Sequence, residues 1–193
     1  MHEKLLKYFS RIMSLSVEEA NAIADTMLVQ EHQKGTLLLR EGQVSAAAYF
    51  VLEGCVRQYY IVDGEEKTCN FFTDEQWVVS INSLTQIGPS SHFLSCSVDS
   101  ILVVGNRKKE EELYRRFPKL ESVSRIVMEK VFAEQQEIMS SYTTDTPEQR
   151  YLKLLNKRPE LFQKIPQYQI ASYIGVKPES LSRIRKRILD NLK

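Results

Sequence analysis

The sequence predicts an α+β chain: an N-terminal β-jelly-roll, a long helix, and a C-terminal helix-turn-helix. Three observations predict it. Short apolar, β-branched or aromatic runs, broken by glycine or polar pairs, fill the stretch from Leu28 to Gly105. One helical pattern then runs unbroken from Lys119 to about Tyr142. Last, Ile165 to Leu192 holds two helical patterns joined by Gly175-Val176-Lys177.

Met1 to about Leu28 reads as helix, with Leu5, Leu6, Phe9 and Met13 recurring at three and four. Ser16 followed by Glu19 is a capping-box pattern and opens a second short helix. The strands follow. Thr36-Leu37-Leu38-Leu39 stops at Glu41-Gly42, and Tyr49-Phe50-Val51-Leu52 stops at Glu53-Gly54. Val56 to Val62 ends in Asp63-Gly64, a hairpin signal, because both central residues of the favoured two-residue turn need positive φ. Ile101-Leu102-Val103-Val104 is a late, wholly apolar strand. Many short strands at regular spacing argue for a jelly roll, sandwich or barrel.

Helices return at Lys108 to Arg116, which Pro118 stops. The long helix carries an apolar set wider than one stripe, so it should bury two faces. One face would pack on the roll. The other, with Leu120, Val123, Val127, Val131 and Ile138 near heptad spacing, would pack on its copy in a dimer; the alternative is a monomer whose first domain wraps the helix. Thr146 as N-cap, Pro147 at the first helical position and Glu148 in the first turn start a helix that runs to Lys157, before Pro159. The expected organisation is residues 1–118 as a sensor domain, 119–145 as dimerisation helix and hinge, and 146–193 as the helix-turn-helix domain.

Bulk properties bound the function. At 193 residues, with 42% hydrophobic and 26% charged, the chain can build a real core. No run approaches the roughly 20 apolar residues of a membrane helix, and the N-terminus lacks a signal-peptide run, so a cytoplasmic protein is expected. Cys55, Cys69 and Cys96 are dispersed and form no C-x-x-C pair, so buried free thiols are expected rather than a metal or iron–sulfur site. His2, His32 and His92 show no metal-ligand spacing. No cofactor is expected. Charge is uneven: Pro147 to Lys193 has 11 Lys/Arg against 4 Asp/Glu, while the rest has 15 against 21. The basic end suits phosphates.

Within Ile165 to Leu192 each residue type has a mechanical job. Ala171 is small where two helices cross, and Gly175 can end the first helix in the left-handed region. Val176 plugs the corner, and Pro178 suits the first turn of the second helix. Leu181, Ile184 and Ile188 make its buried face. Glu179 and Arg183, four apart, can meet base edges in the major groove: Arg183 by two bonds to guanine, Glu179 by accepting from cytosine. Ser180, Arg185, Lys186 and Arg187, with Lys177 and Gln169, are expected at phosphates.

These residues together resemble the Crp–Fnr regulators. Lys34-Gly35-Thr36 to Gly42, Tyr49 to Gly54 and Val56-Arg57 are similar to that family's opening β-roll, and Ile170 to Val176 with Glu179 to Arg183 are similar to its recognition motif. The resemblance implies a cyclic-nucleotide-binding-like jelly roll, a dimerising helix and a DNA reader. It sets Glu179 and Arg183 at base-reading positions, and Ser180 and Lys186 at backbone-contact positions. Two departures stand out. Where cyclic-nucleotide binders carry Gly-Glu and then Arg with a small hydroxyl residue, this chain has Val79-Ser80 and Ser90-Ser91. Without that arginine a buried cyclic phosphate has no fork donor, so cyclic AMP is not expected, although Ser80, Ser90 and Ser91 remain the candidate effector pocket. Only Leu189 to Lys193 follow the recognition helix, which leaves no room for the family's β-hairpin wing. The expectation is a bacterial, non-enzymatic transcription regulator. Its expected partners are double-stranded DNA and a second copy of itself, with RNA polymerase and an unidentified small-molecule effector as further candidates. The other reading is a small-molecule or cyclic-nucleotide sensing module whose DNA binding is secondary or lost.

Overall fold

The structure is a computed structural model that describes residues 2–45, 47–81 and 88–191. The chain forms two compact units: Met1–Gln58 with Phe71–Phe132, and Tyr59–Asn70 with Ala133–Lys193.

In the first unit, α1 (His2–Ser10) and α2 (Val17–Thr26) precede the strands. The expected capping box is present: Glu19 N–H donates to Ser16 Oγ at 3.1 Å, and Ser16 N–H donates to Glu19 Oε2 at 2.8 Å. Among the described residues eight strands follow: β1 (Leu28–His32), β2 (Leu37–Leu39), β3 (Ala47–Glu53), β4 (Val56–Val62), β5 (Glu65–Phe72), β6 (Trp77–Val78), β7 (Phe93–Cys96) and β8 (Ser100–Asn106). They form two four-stranded sheets, ordered β1-β8-β3-β6 and β2-β7-β4-β5. Asp63 and Gly64 have φ of 53° and 77°, the two positive values that the tight β4–β5 turn requires.

Burial explains why β3 and β8 are so apolar. Side chains alternate across a strand. Tyr49, Val51 and Leu102 join Leu39, Val56, Phe72 and Leu94 in the layer between the sheets. Phe50, Leu52 and Val103 point the other way, into a second core with Leu5, Phe9, Ile23 and Leu113. Both faces of these strands are covered, so no polar alternation survives in their sequence. The unit ends in α3 (Arg107–Arg116), capped by Asn106, and the first turns of α4 (Lys119–Thr144).

The long helix settles the two-face question differently from expectation. Leu120, Val123 and Val127 are at most 5% exposed, buried in the chain's own core with α1 and α2, and Val131 packs partly against it. Ile138 is half-buried. The expected dimer seam is therefore corrected at Leu120, Val123 and Val127, which the chain covers itself with helices α1 and α2. The apolar residues left outside include Phe132, 58% exposed, and Met139, 68% exposed. With Met128, Gln135 and Tyr142 they recur at four, three, four and three, which is heptad spacing.

The second unit contains α5 (Pro147–Lys157), α6 (Leu161–Lys164), α7 (Gln167–Tyr173) and α8 (Pro178–Asn191). Thr146 and Gln149 close a capping box ahead of Pro147. The core is Tyr151, Leu154, Leu161, Ile170, Ile174 and Leu181. The four-residue α6 was not foreseen, being too short to show a period between Pro159 and Pro166. Cys55 and Cys96 are buried as expected, and burial pushes the Cys96 thiol up to about 11. Cys69 is only half-buried, in the part of β5 that belongs to the second unit. Among the described residues no helix is long and apolar enough to cross a membrane.

Candidate nucleic-acid interface

The corner between α7 and α8 is built by local chemistry. Gly175 N–H donates to Ser172 O at 3.0 Å and Val176 N–H to Ala171 O at 2.9 Å, the paired bonds that close a helix on a left-handed residue. Gly175 supplies that residue, at φ +77°. Arg150 of α5 braces the corner from behind. Its Nε–H donates to Ile174 O at 3.0 Å, its Nη1 to Asp145 O at 2.6 Å, and its guanidinium lies over the Tyr142 ring. Tyr142 in turn donates its hydroxyl to the Tyr173 carbonyl. Sequence reasoning missed Arg150, because an arginine in a basic helix gives no sign that it will be spent on backbone carbonyls.

Helix α8 is strongly two-sided. Leu181 and Ile184 are buried and Ile188 is half-buried, as expected. Glu179, Arg183 and Lys186, at spacings of four and three, are all exposed on the opposite side, and Ser180 is half-buried. Two of the expected phosphate-contacting cations have partners within the unit: Arg185 donates to Gln167 Oε1 at 3.0 Å, and Arg187 pairs with Glu148 at 2.8 Å. Lys177 is exposed at the corner, near enough to Glu65 to help hold that carboxyl low, after the larger effect of Lys67. Gln169 is a correction. It is 8% exposed, on the inner side of α7 beside Ile170 and Ala171, and its Nε2 donates to Tyr168 Oη at 3.2 Å. Gln169 adjoins Ile170 and Ala171 on the face of α7 turned into the unit's core, so it is taken in with that buried pair. On the other side of α7, Ser172 Oγ donates to Glu66 O at 3.1 Å and accepts from Thr68 N–H at 2.9 Å.

The three serines of the expected effector pocket do not share one environment. Ser80 and Ser90 are buried with their Oγ atoms 3.5 Å apart, and Ser90 Oγ donates to the His92 carbonyl at 2.8 Å. Ser91 is exposed. The segment 82–87 between them lies outside the described residues.

Comparison with known proteins agrees with this architecture. The cyclic nucleotide-binding domain family matches residues 29–117. No curated protein matches the chain by sequence. Among solved structures, a protein from Eubacterium rectale assigned to the Crp/Fnr family is 18% identical, with a TM-score of 0.70 over 96% of this chain and 88% of that one. The c-di-GMP responsive global regulator CLP of Xanthomonas campestris is 15% identical, with a TM-score of 0.69 over 91% and 93%. The catabolite activator protein of Thermus thermophilus is 19% identical, with a TM-score of 0.56 over 93% and 86%. Residues 29–117 thus match a cyclic nucleotide-binding domain, and the structural neighbours of the chain include a Crp/Fnr-family protein. At these identities the likeness is one of fold.

Proposed function

We propose that this protein is a homodimeric transcription regulator of the Crp–Fnr type, which reads an inverted repeat with α8 as the second helix of a helix-turn-helix. The observation that carries this reading is the exposed stripe Glu179–Arg183–Lys186, set opposite buried Leu181 and Ile184 behind a corner that backbone bonds and Arg150 hold fixed. Arg183 would take guanine O6 and N7, and Glu179 would accept from a cytosine amine. Lys186, Lys177 and Ser180 would meet phosphates, and Arg185 and Arg187 would do so on exchanging their present partners. The sensor is residues 1–118, the linking helix 119–145 and the reader 146–193. The dimer seam is the exposed stripe of α4 around Phe132 and Met139, which would set two α8 helices about one DNA turn, roughly 34 Å, apart.

The effector is not cyclic AMP in this reading. The position where a phosphate-binding arginine would stand is Ser90, and its hydroxyl is committed to the His92 carbonyl. The match of residues 29–117 favours, as a second reading, a small-molecule or cyclic-nucleotide sensing module, whose DNA binding would be secondary or lost. Selection of sites from a random duplex library, at near-physiological salt and with no effector, separates the two. Enrichment of an inverted repeat with half-sites one turn apart supports the regulator. Binding that is only salt-sensitive and indifferent to sequence overturns it.

A further inference from the structure

The outer stripe of α4 is apolar or aromatic at Met128, Phe132, Met139 and Tyr142, and its middle member is an amide, Gln135. Gln135 is half-buried, and its side chain has no hydrogen-bond partner among the described residues. Charge along the edges of the stripe cannot align it with a partner helix. In this heptad frame the positions flanking the seam between Met128 and Met139 are Glu129, Val131, Gln136 and Ile138. The one charge among them, Glu129, pairs with Arg125 of the same helix at 2.8 Å. Alignment therefore falls to the amide. An amide both donates and accepts, so it is complementary to its own copy. In a parallel, in-register pair each layer of the seam sets a residue against itself across the two-fold axis, and Gln135 meets Gln135. In an antiparallel pair the two kinds of layer are mixed, and Gln135 faces Phe132 or Met139. A slip of one heptad sets it against Met128 or Tyr142. Each of these alternatives desolvates an amide and gives it no partner, which costs more than an ordinary hydrogen bond contributes.

We propose that Gln135 sets the alignment of the dimer: two copies of α4 pair parallel and in register, and their Gln135 amides hydrogen-bond across the axis. The inference rests on the regulator reading above, in which this stripe is the dimer seam. A lone polar residue inside an apolar heptad seam fixes register and orientation at some cost in affinity. A parallel pair also starts both C-terminal units from the same end of the seam, as the reading of an inverted repeat requires.

Charge exchange at this position tests the pairing, in the full chain and without DNA, read by sedimentation velocity. Glu and Lys are both good helix formers, so α4 itself tolerates either. Gln135→Glu and Gln135→Lys should each weaken self-association by about a hundredfold, because like charges meet across the axis. Mixed one to one, the two variants should form a mixed dimer within about tenfold of the wild-type affinity. A mixture that stays monomeric overturns the self-pairing. Dimers of wild-type strength from each variant alone overturn it as well, and a monomeric wild type overturns both the pairing and the seam. Phe132→Glu keeps the two readings apart. If that chain is monomeric while both Gln135 variants dimerise normally, the seam stands and the role of Gln135 falls; if it stays dimeric, the seam falls too. A wild-type dimer with one copy isotope-labelled answers without any substitution at Gln135. Isotope-filtered methyl spectra should link Met139 of one copy to Met139 of the other. A link from Met139 to Phe132 in its place would show an antiparallel pair and overturn the proposal.

Discussion

The Nε–H of Arg150 donates to the carbonyl of Ile174 at 3.0 Å, so one helix of the C-terminal unit holds the corner between two others. Arg150→Ala leaves the Ile174 and Asp145 carbonyls without this partner and should destabilise the unit by about 1–3 kcal/mol. Arg150→Lys should not restore it, since an ammonium cannot match a guanidinium fork aimed at two carbonyls and stacked on Tyr142. Gly175→Ala should cost about 1 kcal/mol through its left-handed backbone alone. Urea unfolding followed by far-ultraviolet circular dichroism measures all three. Full recovery in Arg150→Lys would show that charge alone suffices.

The two stripes of α4 should respond in opposite ways. Phe132→Glu or Met139→Glu should shift the dimer to monomer in sedimentation velocity, with the melting temperature of the monomer little changed. Leu120→Ala empties a buried site and should cost about 2–5 kcal/mol of stability. A dimer that survives both charged substitutions would place the interface elsewhere.

Cyclic AMP in large excess should leave the melting temperature unchanged. A ligand present at a hundred times its dissociation constant stabilises by about 2.7 kcal/mol, an effect a thermal-shift assay cannot miss. Such a shift would mean that the pocket of Ser80 and Ser90 holds phosphate without an arginine.

Burial pushes the imidazoles of His32 and His92 below the usual histidine range. Protons then bind the unfolded chain more readily than the folded one. Their favourable contribution is fully present above the unfolded value, roughly 6.5, and is lost as pH falls through the depressed folded values. Melting of the first unit, followed by Trp77 fluorescence, should therefore fall from about pH 7.5 to about pH 5.5. His92→Gln should flatten that slope; an unchanged slope would remove His92 as a cause.

Much of this was legible in the sequence because local rules were obeyed. Ser16 with Glu19, Thr146 with Pro147, Asp63-Gly64 and Gly175 each name a backbone conformation that the structure adopts. The sandwich and the long helix followed from apolar runs and their period. What was not legible depended on which neighbour covers a face. Leu120, Val123 and Val127 form a valid seam by spacing, yet α1 and α2 cover them. Gln169 looks like a surface polar residue by type, yet it lies beside Ile170 and Ala171 on the buried face of α7. Arg150 owes its role to a partner far along the chain, the Ile174 carbonyl, and no local pattern marks it.

The most direct measurement compares Arg183→Ala and Lys186→Ala by fluorescence anisotropy, each on the selected site and on a scrambled duplex of equal length and salt. If α8 reads bases through the exposed Arg183, its loss should cost about 1–3 kcal/mol on the selected site and little on the scrambled one, while Lys186→Ala weakens both alike. Equal losses on the two duplexes for Arg183→Ala would contradict base reading by α8 and leave this helix as a phosphate contact only.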